Sequence, residues 1–214
     1  MRLRNIPGAT EEIAQSKYCI HDAQQYKGNW SNFWGNNHPI HIEVGMGKGQ
    51  FIMDLAKLHP DINYIGIEKY SSVLLRGLQK MEIEPLDNVR FIRMDAEYIC
   101  DFFGENDVDR IYLNFSDPWP KDRHARRRLT SHQFLERYDT FLISDGHIEF
   151  KTDNDGLFQF SLDEANESET WHIDAHTWDL HNDQAMCEGN VMTEYEKKFS
   201  EMGHPIHKMI LSRS

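Results

Sequence analysis

The chain has 214 residues, 39% of them hydrophobic and 27% charged, with a formal net charge of −12. That length supports one large domain with a full core, and this composition excludes a disordered chain. Apolar runs of only a few residues, and an N-terminus "MRLRNIPGATEEIAQ" without an apolar signal region, exclude a membrane partner and give a cytoplasmic expectation.

After a polar N-terminal stretch holding Tyr26, Trp30, Phe33 and Trp34, the run "PIHIEV" (39–44) reads as a buried strand ended by the glycines of "GMGKG". "GQFIMDLAKLHP" spaces Phe51, Leu55 and Leu58 as one helix face and stops before Pro60. "INYIGIE" (62–68) is strand-like, and "SSVLLRGLQKME" (71–82) is helix-like with a serine as N-cap. The alternation continues with a strand at 88–94, a short helix in "AEYICDFF", a strand at 108–115, a helix over 131–143 and a strand at 146–152. Further on, "NDGLFQFSLDEANES" reads as a helix, "TWHIDAHTWDLH" alternates weakly, and "TEYEKKFSEMG" with "HPIHKMILS" reads as a helix and a last strand. Alternating strands and helices predict βαβ units, hence an α/β fold: a doubly wound, mostly parallel sheet with helices on both faces. Residues 1–38 are then an extension packing on or flanking a core domain at 39–214.

In such sheets ligands bind outside the carboxyl ends of the strands. Gly45, Gly47 and Gly49 follow the first strand, where a sharp turn leads into a helix. The turn is neither a dinucleotide fingerprint, because Gln50 stands where its third glycine is needed, nor a Walker loop, because no GK[ST] closes it. Three acids occupy successive strand ends. Glu68 is placed to accept two hydrogen bonds from vicinal ribose hydroxyls, Asp95 to meet the exocyclic amine of a purine, and Glu43 to hold a cationic amino group directly or through water. Each taken alone also reads as a cap or a surface charge. Together they fit a nucleoside ligand without phosphate, such as S-adenosylmethionine.

The segment "NFSDPWPKDRHARRRL" (114–129) concentrates positive charge in this acidic chain. Between Lys121 and Arg128 stand five Lys or Arg residues and His124, against the single acid Asp122, with Arg2 and Arg4 as a smaller basic tip. A phosphate docked within a Debye length, about 8 Å, feels that run more than the distant carboxylates; the plain alternative is a solvated loop. Cys19, Cys100 and Cys187 are odd in number and widely spaced, so they read as reduced thiols. His172, His176 and His181 lack a recognised ligand interval, so no metal is expected.

The stretches "IEVGMGKGQF", "YIGIEKY", "MDAE", "NFSDPWPKDRHARRRL", "KTDN" and "MTEYEKKF" with "GHPIHKM" resemble the bacterial tRNA (guanine-N7)-methyltransferase family, within the class I methyltransferases, over residues 39–210. The resemblance implies methyl transfer from S-adenosylmethionine to N7 of a guanosine in the variable loop of tRNA. It also implies a residue-by-residue assignment. Glu43, Gly45, Gly47, Glu68, Asp95 and Asp117 fall at cofactor positions, and Asp117 also at the catalytic one. Lys121, Asp153, Thr193, Glu194, Tyr195 and Glu196 fall at substrate positions, and Arg123, His124, Ala125, Arg126, Arg127 and Arg128 at RNA-contacting positions. "TEYE" also reads as a capping box, and Trp119 either stacks on the base or packs under its loop. Members of the family occur as monomers and homodimers, so the oligomeric state stays open. Two competing readings remain: a class I methyltransferase for a small molecule or protein, and a non-catalytic RNA-binding protein.

Overall fold

The computed structural model describes residues 6–213, so Arg2 and Arg4 lie outside the described residues. Seven strands among these residues form one sheet: β1 (Ile40–Val44), β2 (Asn63–Glu68), β3 (Val89–Arg93), β4 (Val108–Asn114), β5 (Leu142–Thr152), β6 (Trp171–Thr177) and β7 (His207–Arg213). Their order is β3-β2-β1-β4-β5-β7-β6, with β1 to β5 parallel and β7 antiparallel to both its neighbours. The helices are α1 (Ala9–Gln15), α2 (Ser31–Trp34), α3 (Gln50–Leu58), α4 (Ser71–Ile83), α5 (His132–Asp139), α6 (Asp155–Asn166), α7 (Gln184–Cys187) and α8 (Glu194–Glu201). This is the expected doubly wound α/β sheet.

Every residue of β1 and β2 is buried, as expected where helices cover both faces of a parallel sheet. The period of two sorts their side chains. Tyr64 belongs to the cluster that holds Leu55 of α3 and Leu74 and Leu78 of α4, whereas Ile65 and Ile67 belong to the other, which holds Phe134 of α5 and Phe158 of α6. The N-terminal residues join the same two clusters through Ile13, Tyr18, Ile20 and Trp30. Phe91 donates its N–H to Tyr18 O and accepts from Ile20 N, both at 2.8 Å, so this segment pairs along the β3 edge and covers backbone groups left open there. Since β2 and β3 lie on one side of β1 and β4 on the other, the strand order reverses at β1 and β4. A crevice forms outside their carboxyl ends.

Local differences from the sequence reading have local causes. The helix expected over 131–143 stops at Asp139, and Leu142 already pairs with Val108 at the start of β5. An apolar Phe141-Leu142-Ile143 run suits either period, and a vacant place beside β4 decides it. The segment after Asp95 is a 3-10 turn, Ala96–Asp101, in which the Asp95 carboxylate accepts from Glu97 N. No serine caps α4, because Tyr70 holds that position, and its side chain makes no cap hydrogen bond. The weak alternation of 170–181 becomes β6, an edge strand bound only to β7.

Candidate active site

At the strand reversal lies a cavity of about 1170 Å³. Gly45, Glu68, Asp95, Asp117, Trp119, Arg126 and Arg127 are among its walls, so one space joins the acids of the strand ends to part of the basic run. The turn after β1 is built for close approach. Gly45 and Gly47 have φ of 80° and 59° with no atom within 4 Å of a would-be Cβ, so conformation and not crowding selects glycine. Gly45 N and Met46 N both donate to Ile67 O, tying the turn to β2.

Glu68 accepts from Gly47 N at 3.1 Å on one oxygen and from Tyr70 N at 2.9 Å on the other. Each carboxylate oxygen has a second lone pair, so acceptor capacity remains for a ligand. Burial raises the Glu68 pKa against those backbone donors, and the Asp117 charge adds to the rise. Asp95 behaves differently. Burial opposes its ionisation, but Lys69 at 2.5 Å, Glu97 N and the charge of Arg127 outweigh it and hold the carboxyl below its usual range.

Glu43, at 2% exposure, is not among the residues that line the cavity, although its sequence neighbours Val44 and Gly45 are. Its Oε1 accepts from Asn114 Nδ2 at 2.9 Å, and Oε2 has no partner among the described residues. Burial pushes its carboxyl up to about 8, and Asn114 and the Lys151 charge limit that rise.

Asp117 is exposed on the loop that leaves β4. Phe115 at φ 52° and Trp119 at φ 42° flank it in the left-handed region, where non-glycine residues are strained. The next segment, Asp122–Arg127, is a 3-10 turn preceded by Lys121, whose side chain makes no cap hydrogen bond. Lys121, Arg123, Arg126 and Arg127 are exposed, and His124, Ala125 and Arg128 half-buried. Trp119 packs against this turn, with the Arg127 guanidinium 5.0 Å from its ring centre and the His124 ring edge-on at 5.8 Å.

The remaining sequence-assigned residues, Asp153 and Thr193–Glu196, do not line the cavity. Tyr195 connects with its rim: the hydroxyl donates to Asp153 at 3.0 Å and the ring lies 4.7 Å from that of Phe115, a wall residue. Burial and the Asp153 carboxylate push the Tyr195 hydroxyl up to about 12 and keep it a donor. Thr193 and Glu196 close the capping box of α8. Glu196 is fully buried against Lys151 at 2.6 Å, and Glu194 faces away to Lys80 at 3.2 Å.

Sequence reasoning passed over Ser116, Asn114 and Lys151. Ser116 lines the cavity with a buried hydroxyl that has no partner among the described residues. Its place beside Asp117 in "NFSDPWP" was the available signal. Among the described residues no three His, Cys, Asp or Glu side chains gather as a metal site.

Residues 37–209 match the family described as "Putative methyltransferase". A relative named tRNA (guanine-N(7)-)-methyltransferase from Lachnoclostridium phytofermentans is 60% identical, over 100% of this chain and 99% of its own. Another of that name from Bacillus cytotoxicus is 49% identical over 98% and 95%. The solved structure of an antibiotic-related methyltransferase superposes with a TM-score of 0.62 at 20% identity, covering 91% of this chain and 95% of that one, which supports the fold alone. Strand order, the cavity at the reversal and this full-length similarity lead to one conclusion: the chain belongs to the tRNA (guanine-N7)-methyltransferase family, and it is an enzyme.

Proposed function

We propose that this enzyme takes its methyl group from S-adenosylmethionine and delivers it to N7 of a guanosine in the variable loop of cytoplasmic tRNA, with Asp117 as the catalytic residue. The observation that carries the reading is the shared cavity: carboxylates for a nucleoside and guanidinium groups for a phosphate backbone border one space. The residues fit the cofactor. Glu68 keeps free lone pairs for hydroxyls, Asp95 is held ionised, the glycine turn has room beside its backbone, and Glu43 has a buried oxygen without a partner among the described residues. Bound there, the cofactor would supply an electrophilic sulfonium methyl group and leave with the electron pair of its S–C bond.

N7 needs no base, because its in-plane lone pair is free before the reaction. The protein's contribution is therefore position and charge. Asp117 is exposed at the cavity and accepts hydrogen bonds from guanine N1–H and the exocyclic amine, a donor pair adenine lacks. Its negative charge also stabilises the positive charge that transfer places on the purine. Lys121, Arg123, Arg126 and Arg127 hold backbone phosphates and offset the few kcal/mol needed to unstack the base. Asp153 and Tyr195 form the outer rim of the substrate site.

The test uses unmodified tRNA, methyl-labelled cofactor and chain cleavage specific for N7-methylguanosine. Cleavage at a variable-loop guanosine is expected, and label on another atom or outside that loop overturns the reading. Asp117→Asn is expected to lower kcat by about 10²–10³ while tRNA affinity stays within about twofold. Equal loss of both would remove Asp117 from the catalytic role.

A further inference from the structure

We infer that Arg128 is a positioning residue for the loop that presents Asp117, and not a phosphate contact like the arginines before it. The inference rests on the role proposed for Asp117. In sequence, Arg126, Arg127 and Arg128 are indistinguishable, but in the fold they diverge. Arg126 and Arg127 are exposed and face the cavity, whereas Arg128 is half-buried and absent from the cavity wall. Its Nε donates to Pro118 O at 3.0 Å and its Nη2 to Trp119 O at 3.1 Å. The guanidinium lies 4.2 Å from the ring centre of Phe160 on α6. Two adjacent carbonyls thus receive the two prongs of a planar fork whose face rests on a helix.

The loop needs such a hold. It bends through the left-handed region at Phe115 and again at Trp119, and strained residues of this kind persist only where their surroundings fix them. The upstream bend is fixed by the sheet, since Phe115 N donates to Lys151 O at 2.8 Å. At the downstream bend the prolines at 118 and 120 restrict φ on either side of Trp119, and Pro120 has no N–H to offer. Arg128 binds the carbonyls of 118 and 119 and so ties this end of the loop to α6. Asp117 lies between the two anchors. An ammonium is one point of charge on a flexible stem, so lysine keeps the positive charge of Arg128 but not the paired, in-plane geometry.

Arg128→Lys in the full-length protein separates the two roles. Positioning predicts a kcat reduced by about 10- to 100-fold, as for an ångström-scale misplacement. It also predicts tRNA affinity within about twofold and an unchanged slope of log affinity against log salt. Arg126→Ala supplies the contrasting pattern, with weaker tRNA binding and a salt slope smaller by about 1. A second readout needs no turnover: acrylamide quenching of Trp119, isolated by difference from Trp119→Phe, increases in Arg128→Lys as the loop loosens. Phe160→Leu changes no charge and moves both readouts the same way by less, which covers a poorly folding Arg128 variant. Unchanged kcat and unchanged Trp119 quenching in these variants, or an Arg128→Ala pattern like that of Arg126→Ala, would overturn the inference. Failure of the wild-type enzyme to methylate tRNA at N7 would instead overturn the proposed reaction, and the quenching comparison would still decide the role of the clamp.

Discussion

Two buried glutamates, at the end of β1 and the start of α8, have opposite surroundings. Glu196 is saturated. Its Oε2 takes Lys151 Nζ at 2.6 Å and Thr193 N at 3.4 Å, and its Oε1 takes Asn190 Nδ2 at 2.8 Å with His181 at 3.4 Å. Lys151 spends its other donors on Asn190 Oδ1 and Val191 O, so one ammonium fastens the whole approach to α8 onto β5. Glu43 has a single side-chain donor, Asn114, and an oxygen without a partner among the described residues. Burial costs both carboxyl groups their hydration; the fold replaces it for Glu196 but supplies Glu43 with Asn114 alone. Completeness of pairing therefore separates Glu196, which fastens α8, from Glu43, to which the proposed function gives the cofactor's amino group.

Breaking the complete network has the largest expected effect. Lys151→Ala leaves Glu196 buried without its counter-charge, a change that typically costs about 3–5 kcal/mol, read as a lower denaturation midpoint. The same loss frees the segment that sets Tyr195 against Phe115, so KM for tRNA rises as well. A Lys151→Met, Glu196→Leu double variant, which removes both charges, is expected to recover much of the stability. If Lys151→Ala costs no more than Glu43→Gln, the contrast between the two glutamates fails.

The incomplete site is expected to show itself through pH. With the folded carboxyl of Glu43 near 8 and an ordinary unfolded value of 4.5, the native state holds this proton longer than the unfolded state. Its contribution to stability is therefore present below about pH 4.5 and lost as pH rises towards 8. Cofactor affinity is expected to run the other way, because the ionised carboxylate attracts the ligand's amino group, so binding strengthens as pH rises towards 8 and weakens above it as the ligand's own ammonium loses its proton. Glu43→Gln is expected to flatten both profiles and to weaken cofactor binding about tenfold, the scale of one charge-assisted hydrogen bond. Calorimetric titrations between pH 6 and 9 measure this, and a Gln variant that keeps the wild-type slope would detach Glu43 from the ligand.

The sequence made the sheet and the strand-end acids readable because both depend on local pattern: period-two and period-3.6 runs punctuated by glycine and proline. It did not distinguish Glu43 from Glu196, since pairing of Lys151 with Glu196 spans 45 residues and only the fold brings them together. "TEYE" announced the cap that Thr193 and Glu196 do make, but nothing local announced the buried lysine beneath it. The same limit hid the inward turn of Arg128, which depends on Phe160 in a later helix. Where Phe141 to Ile143 ran on from a helix, only a neighbouring strand could reassign them.

The smallest expected effect concerns charge that the fold leaves in solvent, and it extends the comparison from acids to bases. Lys151 is buried and fully engaged, so losing it should damage the fold; Arg126 is exposed on the cavity wall, so losing it should leave the fold intact. Its proposed partner is a phosphate, whose neutralisation releases about one condensed counterion. Arg126→Ala is therefore expected to weaken tRNA binding by only a few fold near 0.15 M salt and to reduce the salt slope by about 1. Its effect should be nearly the same for every tRNA that binds, because phosphate contacts carry register without sequence choice. Filter-binding isotherms at several salt concentrations measure all three features. A slope that stays at its wild-type value would mean that this face meets no phosphate, and the positive run would then be a solvated surface of an acidic protein.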